Sequence, residues 1–364
     1  MKKILTISPD YYPSNGGLEK YLLTIHLSLN KYYRNEVFSG TRISEKITHT
    51  NNYKNINVFK YSTFKFLGLD FPSNPLNYVK LYIHIKSADI IWLNDVKFVF
   101  FFSVLISFLH KKRIIFTTNG LVFHNKRYKH IKKFFLIIYL WLIKKYIKDV
   151  VSNGLSDYEY LLSKNINSKL INNGVDLSNF RINRKPLVNN FLYFGRIDFN
   201  KGLEDLVNCA AAYKTHQKNF VINILGSGDS NYVKSLIKKI SSKGLSVNFN
   251  FHGTYTQKLL LSQLKTAEFV LIPSKYESFG ITLIESLASG ASVIANNNKQ
   301  FQLMHDDKNA FYLFDFNKPH LFFKIIQKAR NVYKPKNIKG IDFSRYYSLE
   351  NHINKYIHLF NEEL

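Results

Sequence analysis

The sequence predicts an α/β protein with parallel sheets, and three observations support this prediction. Short apolar runs alternate with segments of helical apolar spacing, most clearly from Phe191 onward. Strands that alternate with helices imply parallel sheets joined by right-handed crossovers. The chain has 364 residues, 46% of them hydrophobic, which is enough for about two such domains. The polar stretch Ser178 to Asn190 is the best candidate for the linker between them.

The N-terminal half begins with a strand, a glycine pair and a helix. The strand is Lys3–Ser8 and the helix is Leu18–Leu29. Between them, Gly16 and Gly17 would let the backbone approach a ligand closely. The pair does not form G-x-G-x-x-G, so the dinucleotide-binding fingerprint is absent from this turn. Further strands are predicted at Ala88–Leu93, Arg113–Thr118, Asp149–Ser152 and, with a turn, Lys169–Leu177.

The C-terminal half repeats the alternation more regularly. Strands are predicted at Phe191–Gly195, Phe220–Leu225, Val247–Phe251, Phe269–Ile272, Val293–Ala295 and Ala310–Asp315. Helices are predicted at Leu203–Tyr213, Tyr232–Ser242, Gln257–Thr266 and Ile281–Ala288, with a last helix at Leu349–Leu364.

Cysteine content and the N-terminus exclude several classes of protein. The only cysteine is Cys209, so there is no disulfide framework and no Cys/His pattern for structural zinc. The first apolar run is broken by Ser8-Pro9-Asp10, which indicates a strand rather than a signal peptide. The simplest expectation is a cytoplasmic protein.

The charge is strongly positive, with 51 Lys and Arg against 25 Asp and Glu. Basic clusters at residues 111–113, 126–133 and 144–148 flank the apolar runs Phe98–Leu109 and Phe134–Ile143. Neither run reaches the ~20 residues that span a bilayer. We expect helices on an anionic membrane surface, although core helices with solvated basic ends fit the same pattern. No nucleic-acid-binding motif accompanies the charge, so nucleic acid is not an expected partner.

Polar and glycine residues follow three strands of the second half. Arg196 and Lys201 follow the first strand, Gly226 and Gly228 the second, and residues 277–280 the fourth. The carboxyl ends of parallel strands meet at one edge of a sheet, so these loops should converge. Cations, glycines and a helix N-terminus there predict a diphosphate-binding site, with Glu277 and Glu285 beside it for sugar and ribose hydroxyls. Two solvated glutamates on an ordinary strand-loop-helix unit remain the alternative.

The stretch from Thr117 to His124 also follows a strand and should reach a ligand-binding edge. Its polar candidates are Asn119 and His124. His124 is interpreted either as a polar contact or proton shuttle, or as a structural residue.

These motifs resemble those of glycosyltransferase family 4, the retaining nucleotide-sugar transferases of the GT-B fold. The resemblance lies in Gly195-Arg196, Lys201-Gly202, Gly226-Ser-Gly228, Asn173-Gly-Val-Asp176 and, most specifically, Glu277-Ser-Phe-Gly-Ile-Thr-Leu-Ile-Glu285. It implies two Rossmann-like domains facing across a cleft. Residues 1–180 would bind the acceptor and residues 181–345 the nucleotide sugar, and residues 346–364 would form a helix that returns to the first domain.

The resemblance also implies roles for individual residues. Arg196 and Lys201 would neutralise the donor diphosphate, Glu277 would lie beside the transferred sugar, and Glu285 would bind the ribose. The implied donor-binding set is Gly16, Gly17, Arg196, Lys201, Gly226, Gly228, Ser278, Phe279, Gly280, Ile281 and Glu285, with Glu277, His124 and Asn119 as the catalytic candidates. No D-x-D occurs in the chain, in line with a family that uses no metal, and no cofactor is expected.

One position departs from the family pattern. The family often has His-Gly after the fourth strand, where this chain has Asn119-Gly120. An asparagine can hydrogen-bond to a sugar but cannot shuttle a proton. The Gly-Leu-Val-Phe-His124 segment resembles a subset that includes mannosyltransferases acting on polyprenyl-diphosphate-linked saccharides.

The resulting hypothesis is a metal-independent retaining hexosyltransferase. It would use a UDP- or GDP-linked donor and a saccharide or polyprenyl-diphosphate-linked saccharide acceptor, in cell-surface polysaccharide synthesis at the inner membrane face. A nucleotide-sugar epimerase or phosphorylase on the same fold, and a non-enzymatic binder of membrane surfaces or nucleic acid, are the alternatives.

Overall fold

The computed structural model describes residues 1–12, 17–42, 50–66, 69–94, 98–119, 121, 129–305, 310–332 and 336–362. The chain forms two compact units. The first contains Met1–Asn172 and His352–Leu364, and the second contains Asn173–Asn351.

The first unit is a mainly parallel sheet with helices between its strands. Its strands are β1 (Lys3–Ser8), β2 (Arg34–Arg42), β3 (Thr50–Tyr53), β4 (Ile56–Phe66), β5 (Leu69–Pro72), β6 (Ile90–Asn94), β7 (Arg113–Thr118), β8 (Asp149–Ser152) and β9 (Lys169–Leu170). Its helices are α1 (Gly17–Leu29), α2 (Leu76–Ser87), α3 (Phe98–Leu109), α4 (Lys129–Tyr146) and α5 (Leu155–Leu162). Over the described ranges the strand order is β3-β4-β2-β1-β6-β7-β8-β9, with β5 on β4. Only the β3–β4 and β4–β5 pairs are antiparallel among these strands.

The second unit is a parallel sheet throughout its described residues. Its strands are β10 (Asn190–Phe194), β11 (Val221–Leu225), β12 (Phe249–Gly253), β13 (Phe269–Ile272), β14 (Ser292–Asn296) and β15 (Tyr312–Phe314). Its helices are α6 (Leu203–Lys214), α7 (Ser230–Ser242), α8 (Gln257–Thr266), α9 (Ile281–Ala288), α10 (Lys299–Met304), α11 (Phe322–Asn331) and α12 (Ile338–Arg345). The order β12-β11-β10-β13-β14-β15 is the 3-2-1-4-5-6 arrangement of Rossmann folds.

The predicted elements of the second half are confirmed, with bounds that shift by two residues at α7, β12 and β15. Strand β12 begins at Phe249 instead of Val247 because Ser246–Asn248 forms a 3₁₀ turn. Val247 is 81% exposed on this turn and so does not enter the sheet. The structure also contains elements that were not predicted from the sequence. These are β2 to β5, α2 and α5 in the first half and α10, α11 and α12 in the second.

The units divide a few residues away from the positions expected from sequence. The first division lies at residue 172 instead of 180, because Val175 pairs with the 347–349 segment of the second unit. The same pairing keeps residues 346–351 in the second unit, so only residues from His352 onward belong to the first. The polar stretch from Ser178 to Asn190 is not a free linker. Arg184 is 8% exposed and donates to the carbonyl oxygens of Gly290 and Ala267.

The last helix, α13 (Leu349–Asn361), packs into the first unit through buried polar contacts. The Tyr21 hydroxyl lies 2.8 Å from His352 Nε2, and Tyr356 reaches Thr117, which accepts from the indole of Trp92. Arg113 binds Asp149 at 2.8 Å and donates to the carbonyl oxygens of Leu359, Phe360 and Glu362. The return of the terminal helix to the first unit therefore depends on specific buried groups.

Replacing Arg113 by methionine should strongly destabilise the first unit. The substitution leaves Asp149 and three helix-terminal carbonyl oxygens without their donor, which should lower the free energy of unfolding by about 3 kcal/mol. Thermal and urea denaturation measure this loss. The matched control is Arg345→Met, because Arg345 is 68% exposed and pairs only with Asp342 among the described side chains. That change should cost about 0.5 kcal/mol or less, and an equal loss in both variants would contradict the argument.

Candidate active site

Backbone hydrogen bonds join the loops at the carboxyl edge of the second sheet. The amide of Gly195 donates to Leu225 and the amide of Ile197 to Ser227, both at 2.9 Å, so the loops after β10 and β11 run together. The amide of Lys275 donates to Asn200 at 2.8 Å and ties the loop after β13 to the same group. The predicted convergence of these three loops is confirmed.

Glycines make this close approach possible. A Cβ at Gly226 would lie 1.8 Å from the carbonyl oxygen of Gly195, and one at Gly228 would lie 1.8 Å from that of Ile197. Gly202 has φ +67°, and its Cβ would lie 2.1 Å from the carbonyl oxygen of Pro273. The glycines singled out in the sequence are therefore required by the backbone packing at this edge.

Lys201 and Glu277 form an ion pair at the centre of the converging loops. The Nζ of Lys201 lies 2.6 Å from Oε1 of Glu277, and the side chains are 25% and 12% exposed. Lys201 ends a 3₁₀ turn, Phe199–Lys201, which Asp198 caps by accepting from the amide of Asn200. The pair therefore fixes a cation and a carboxylate next to one another at the sheet edge.

Helix α9 begins four residues after Glu277 of this pair. Gly280 has φ +97°, and a Cβ there would lie 2.5 Å from the ring of Phe301. Phe279 is buried and its ring packs edge-on against Tyr347, while Ser278 is partly exposed. Because α9 begins at Ile281, its first amides have no acceptors within the helix and carry the positive end of its dipole. This end of α9 can therefore bind an anion.

Glu285 lies one turn further along α9 in a largely buried environment. Burial raises the pKa of its carboxyl to about 7. Burial also raises the pKa of the neighbouring Tyr255 to about 12, and the charge of Glu285 adds to that shift. Among the described residues, no donor is hydrogen-bonded to the carboxylate of Glu285. A ligand hydroxyl would supply the donor that this carboxylate lacks.

Arg196 is placed differently from Lys201. Its side chain is 71% exposed, and its Nε lies 3.9 Å from a carboxylate oxygen of Asp198. The structure thus gives the two predicted cations unequal positions, with Lys201 fixed by Glu277 and Arg196 extending into solvent.

In the first unit, three asparagines lie at the carboxyl ends of neighbouring strands. Asn94 ends β6, Asn119 follows β7 and Asn153 follows β8. The side-chain Nδ2 of Asn153 donates to Oδ1 of Asn119 at 2.8 Å. Among the described residues, both polar side-chain atoms of Asn94, Nδ2 of Asn119 and Oδ1 of Asn153 are buried without a partner. Asn94 also lines a small hollow with Ser8 and Pro9.

Two of the residues predicted from the sequence, Gly16 and His124, lie outside the described residues. Gly17 is the first residue of α1. Several residues of the candidate site were not predicted from the sequence. Tyr193 donates to the carbonyl oxygen of Arg196, and Lys275 binds Asp205 at 3.1 Å. The sequence could have indicated Asn94 and Asn153, because each stands at the end of an apolar run that forms a parallel strand.

A metal site is not seen in the described part of the chain. No group of three His, Cys, Asp or Glu side chains is arranged there to hold a metal ion.

None of the described helices is both long enough and apolar enough to cross a bilayer.

Solved structures with the same arrangement of elements define the fold class. The chain is similar to Anabaena HepE in complex with UDP, with a TM-score of 0.78 at 14% identity over 98% of this chain and 99% of that one. It is also similar to the lipopolysaccharide outer core galactosyltransferase WaaB, with a TM-score of 0.72 at 16% identity over 98% and 99% of the two chains. The fold of the chain is GT-B, with two Rossmann-like units, as the sequence resemblance implied.

A family model matches most of the second unit. Residues 175–336 match the model described as glycosyl transferases group 1. The chain is 26% identical over 221 residues to the GDP-mannose:cellobiosyl-diphosphopolyprenol alpha-mannosyltransferase of Xanthomonas campestris, which covers 60% of this chain and 58% of that protein. It is 28% identical over 156 residues to the capsular polysaccharide biosynthesis glycosyltransferase CapH of Staphylococcus aureus, covering 43% and 42%. The chain thus spans less than two thirds of the curated relatives named here.

A methyl group at Gly228 should disrupt the joined loops. Gly228→Ala places a Cβ against the carbonyl oxygen of Ile197, so the backbone must move, at a cost of about 2 kcal/mol in the free energy of unfolding. Thermal denaturation measures the loss. Gly244→Ala is the control, because Gly244 has φ +64° and its Cβ would meet nothing closer than 3.9 Å. The strain of that φ costs about 1 kcal/mol. A smaller loss at Gly228 than at Gly244 would contradict the close packing.

Glu285 should make the stability of the second unit depend on pH. Its folded pKa, about 7, lies above the ordinary value of 4.5, so its contribution to stability is fully present below pH 4.5 and is lost as the pH rises through 7. We expect Glu285→Gln to melt at a higher temperature than the wild type at pH 8, with the difference shrinking towards pH 4.5. Thermal denaturation across this range checks it, with the exposed Glu350→Gln as the control. A difference between Glu285→Gln and the wild type that does not change with pH would contradict the raised pKa.

Proposed function

We propose that the protein is a retaining glycosyltransferase of family 4. It transfers a hexosyl unit from a UDP- or GDP-linked sugar to a saccharide or lipid-linked saccharide acceptor. The observation that carries this proposal is the Lys201–Glu277 pair at the N-terminus of α9. A fixed cation, a carboxylate and a helix N-terminus provide the chemistry that a sugar diphosphate requires.

The protein binds the donor through its charged diphosphate and through the hydroxyl groups of its sugar and ribose. Lys201 and the first amides of α9 bind the diphosphate, and the exposed Arg196 adds a mobile positive charge at its rim. Glu277 contacts the transferred sugar. Glu285 accepts from the ribose hydroxyls, which supply the donors that its carboxylate lacks among the described residues.

The reaction breaks the bond between the anomeric carbon and the diphosphate oxygen and forms a bond from the same carbon to an acceptor hydroxyl. The acceptor attacks from the face that the diphosphate leaves, which retains the anomeric configuration. The leaving phosphate takes the acceptor proton. Negative charge develops on that phosphate in the transition state, where Lys201 and the α9 amides stabilise it. The protein needs no metal or cofactor for this step in the proposal.

The acceptor binds the first unit in this proposal. The asparagines at the ends of β6, β7 and β8 offer buried amide donors and acceptors, which suit the hydroxyl groups of a saccharide. The name of the Xanthomonas relative specifies a diphosphopolyprenol-linked acceptor, and that of CapH specifies capsular polysaccharide biosynthesis. These names support a lipid-linked acceptor and a role in cell-surface polysaccharide synthesis. We propose that this synthesis takes place at the inner face of the membrane.

The proposal is tested first by ligand binding. A ligand that binds only the folded state raises the melting temperature, so UDP, GDP and their sugars are compared by thermal shift. One nucleotide series should give a clear rise, and no rise with any of them would overturn the proposal. The protein is also incubated with the best nucleotide sugar and no acceptor, which distinguishes a transferase from an epimerase. A change in the configuration of the sugar under these conditions would assign an epimerase instead.

Loss of either member of the ion pair should abolish most of the transfer. We expect Lys201→Ala and Glu277→Gln each to lower the rate of nucleoside diphosphate release about 100-fold or more, because each removes a preorganised group at the reacting centre. The rate is measured with the best nucleotide sugar and a membrane lipid extract as the source of acceptor.

The matched control is a surface ion pair of the same residue types. Lys169 and Glu362 form such a pair in the first unit, with 49% and 33% exposed side chains. Lys169→Ala and Glu362→Gln should leave the rate within about twofold. The melting temperatures of all four variants show that the fold survives. Transfer at wild-type rates in both Lys201→Ala and Glu277→Gln would overturn the assigned roles.

A further inference from the structure

Three consecutive helices of the first unit expose large apolar side chains to solvent. On α4, Phe134, Ile137 and Trp141 are 62%, 59% and 54% exposed. These positions are three and four residues apart, so they form a stripe on one side of the helix. The C-terminal end of α3 exposes Phe108 and Leu109, and α2 exposes Leu76, Val79 and Ile83 at the same spacing. These eight residues are called the docking face below.

The topology places the three helices on the same side of the sheet. The chain passes from β4 through β5 and α2 to β6, then through α3 to β7 and through α4 to β8. The strands β4, β6, β7 and β8 follow one direction across the sheet. Right-handed crossovers in one direction put their helices on one face. Helix α2 packs against α3, and α3 packs against α4.

Aromatic contacts connect the exposed side chains across the helices. Tyr82 of α2 packs edge-on against His110, with 5.0 Å between the ring centroids. The ring centroid of Tyr146 lies 4.8 Å from that of Phe108 and 6.0 Å from that of Trp141. The docking face is therefore one surface that crosses from α2 to α4, unlike single apolar residues scattered over a protein.

Basic side chains border this surface, and acidic ones are absent from its sequence. Lys111, Lys144, Lys145 and Lys148 are exposed at the ends of α3 and α4. The Nζ of Lys145 lies 4.8 Å from the ring of Trp141 and 5.2 Å from that of Tyr146. No Asp or Glu occurs in the sequence between Asp95 and Asp149, or within α2. Exposed lysines thus lie next to the exposed apolar side chains of α3 and α4.

We propose that the docking face binds the surface of an anionic lipid bilayer, with the helices lying parallel to the membrane plane. The apolar stripes of α2, α3 and α4 enter the boundary between headgroups and acyl chains, where tryptophan is favoured. The lysines meet the anionic headgroups. A twofold dimer through this face is disfavoured, because it would bring each basic border against its own copy. This inference rests on the membrane partner of the proposed function and assigns the surface that contacts it.

The two tryptophans make a direct test possible. Trp92 is fully buried and Trp141 is 54% exposed, so a change in tryptophan emission on adding vesicles reports mainly on Trp141. Vesicles of phosphatidylcholine with about 30% phosphatidylglycerol should shift the emission to shorter wavelength, and brominated acyl chains should quench it. Vesicles of phosphatidylcholine alone should bind at least about tenfold more weakly, and high salt should release the protein from the anionic vesicles.

Matched variants separate the docking face from the net charge. Lys144→Gln, Lys145→Gln and Lys148→Gln in combination should reduce binding to anionic vesicles about tenfold or more. Lys234→Gln, Lys238→Gln and Lys243→Gln remove the same charge from exposed positions in and just after α7 and should change binding less than about twofold. Phe134→Ser with Ile137→Ser should also weaken binding about tenfold, whereas Val188→Ser with Val247→Ser, two exposed residues of the second unit, should not.

Three outcomes would overturn the inference. Equal losses of vesicle binding in the two lysine variants would show that net charge alone accounts for the binding. Unquenched Trp141 in bound protein would place the contact elsewhere. An emission that changes with protein concentration without lipid would assign the face to self-association. The thermal shift by the best nucleotide is measured on the same variants. Because that site is in the second unit, a retained shift separates a failed membrane proposal from a failed donor proposal.

Discussion

The ion pair between Lys201 and Glu277 is the interaction on which the site depends. It joins two loops that leave different strands, β10 and β13. Both side chains are mostly buried, with 25% of Lys201 and 12% of Glu277 exposed, which limits their movement. Gly202 lets the loop after β10 approach the loop after β13, because a side chain there would meet the carbonyl oxygen of Pro273. Gly226 and Gly228 let the loop after β11 approach the loop after β10 in the same way. Close backbone packing thus brings the loops that carry a cation and a carboxylate together.

The two glutamates of the site differ because their surroundings differ. Glu277 has a cationic partner at 2.6 Å, whereas burial without a hydrogen-bond donor among the described residues raises the pKa of Glu285 to about 7. A partly buried carboxylate that lacks a donor is costly in the protein alone. A ligand hydroxyl that donates to Glu285 would offset this cost, as the proposed ribose contact requires.

The first unit combines two different uses of its helices. On α13, buried tyrosines, His352 and the carbonyl oxygens bound by Arg113 fix the end of the chain. On α2, α3 and α4, apolar side chains stay exposed at a border of lysines. Both surfaces are rich in aromatic residues. Whether such residues form core or contact surface depends on what packs over them.

The sequence by itself determined most of the second unit and the meeting of its candidate-site loops at one edge. The strands are short apolar runs followed by glycine-containing loops, and the carboxyl ends of parallel strands share one edge by geometry. The convergence of the loops that carry Lys201, Gly226 and Glu277 was therefore predictable. In the first half, β2 to β5 were not predicted from the sequence. Only the tertiary structure decided the pairing of Lys201 with Glu277, the exposed position of Arg196 and the raised pKa of Glu285. Distances, burial and charge environment depend on residues far apart in the chain, which local patterns do not encode.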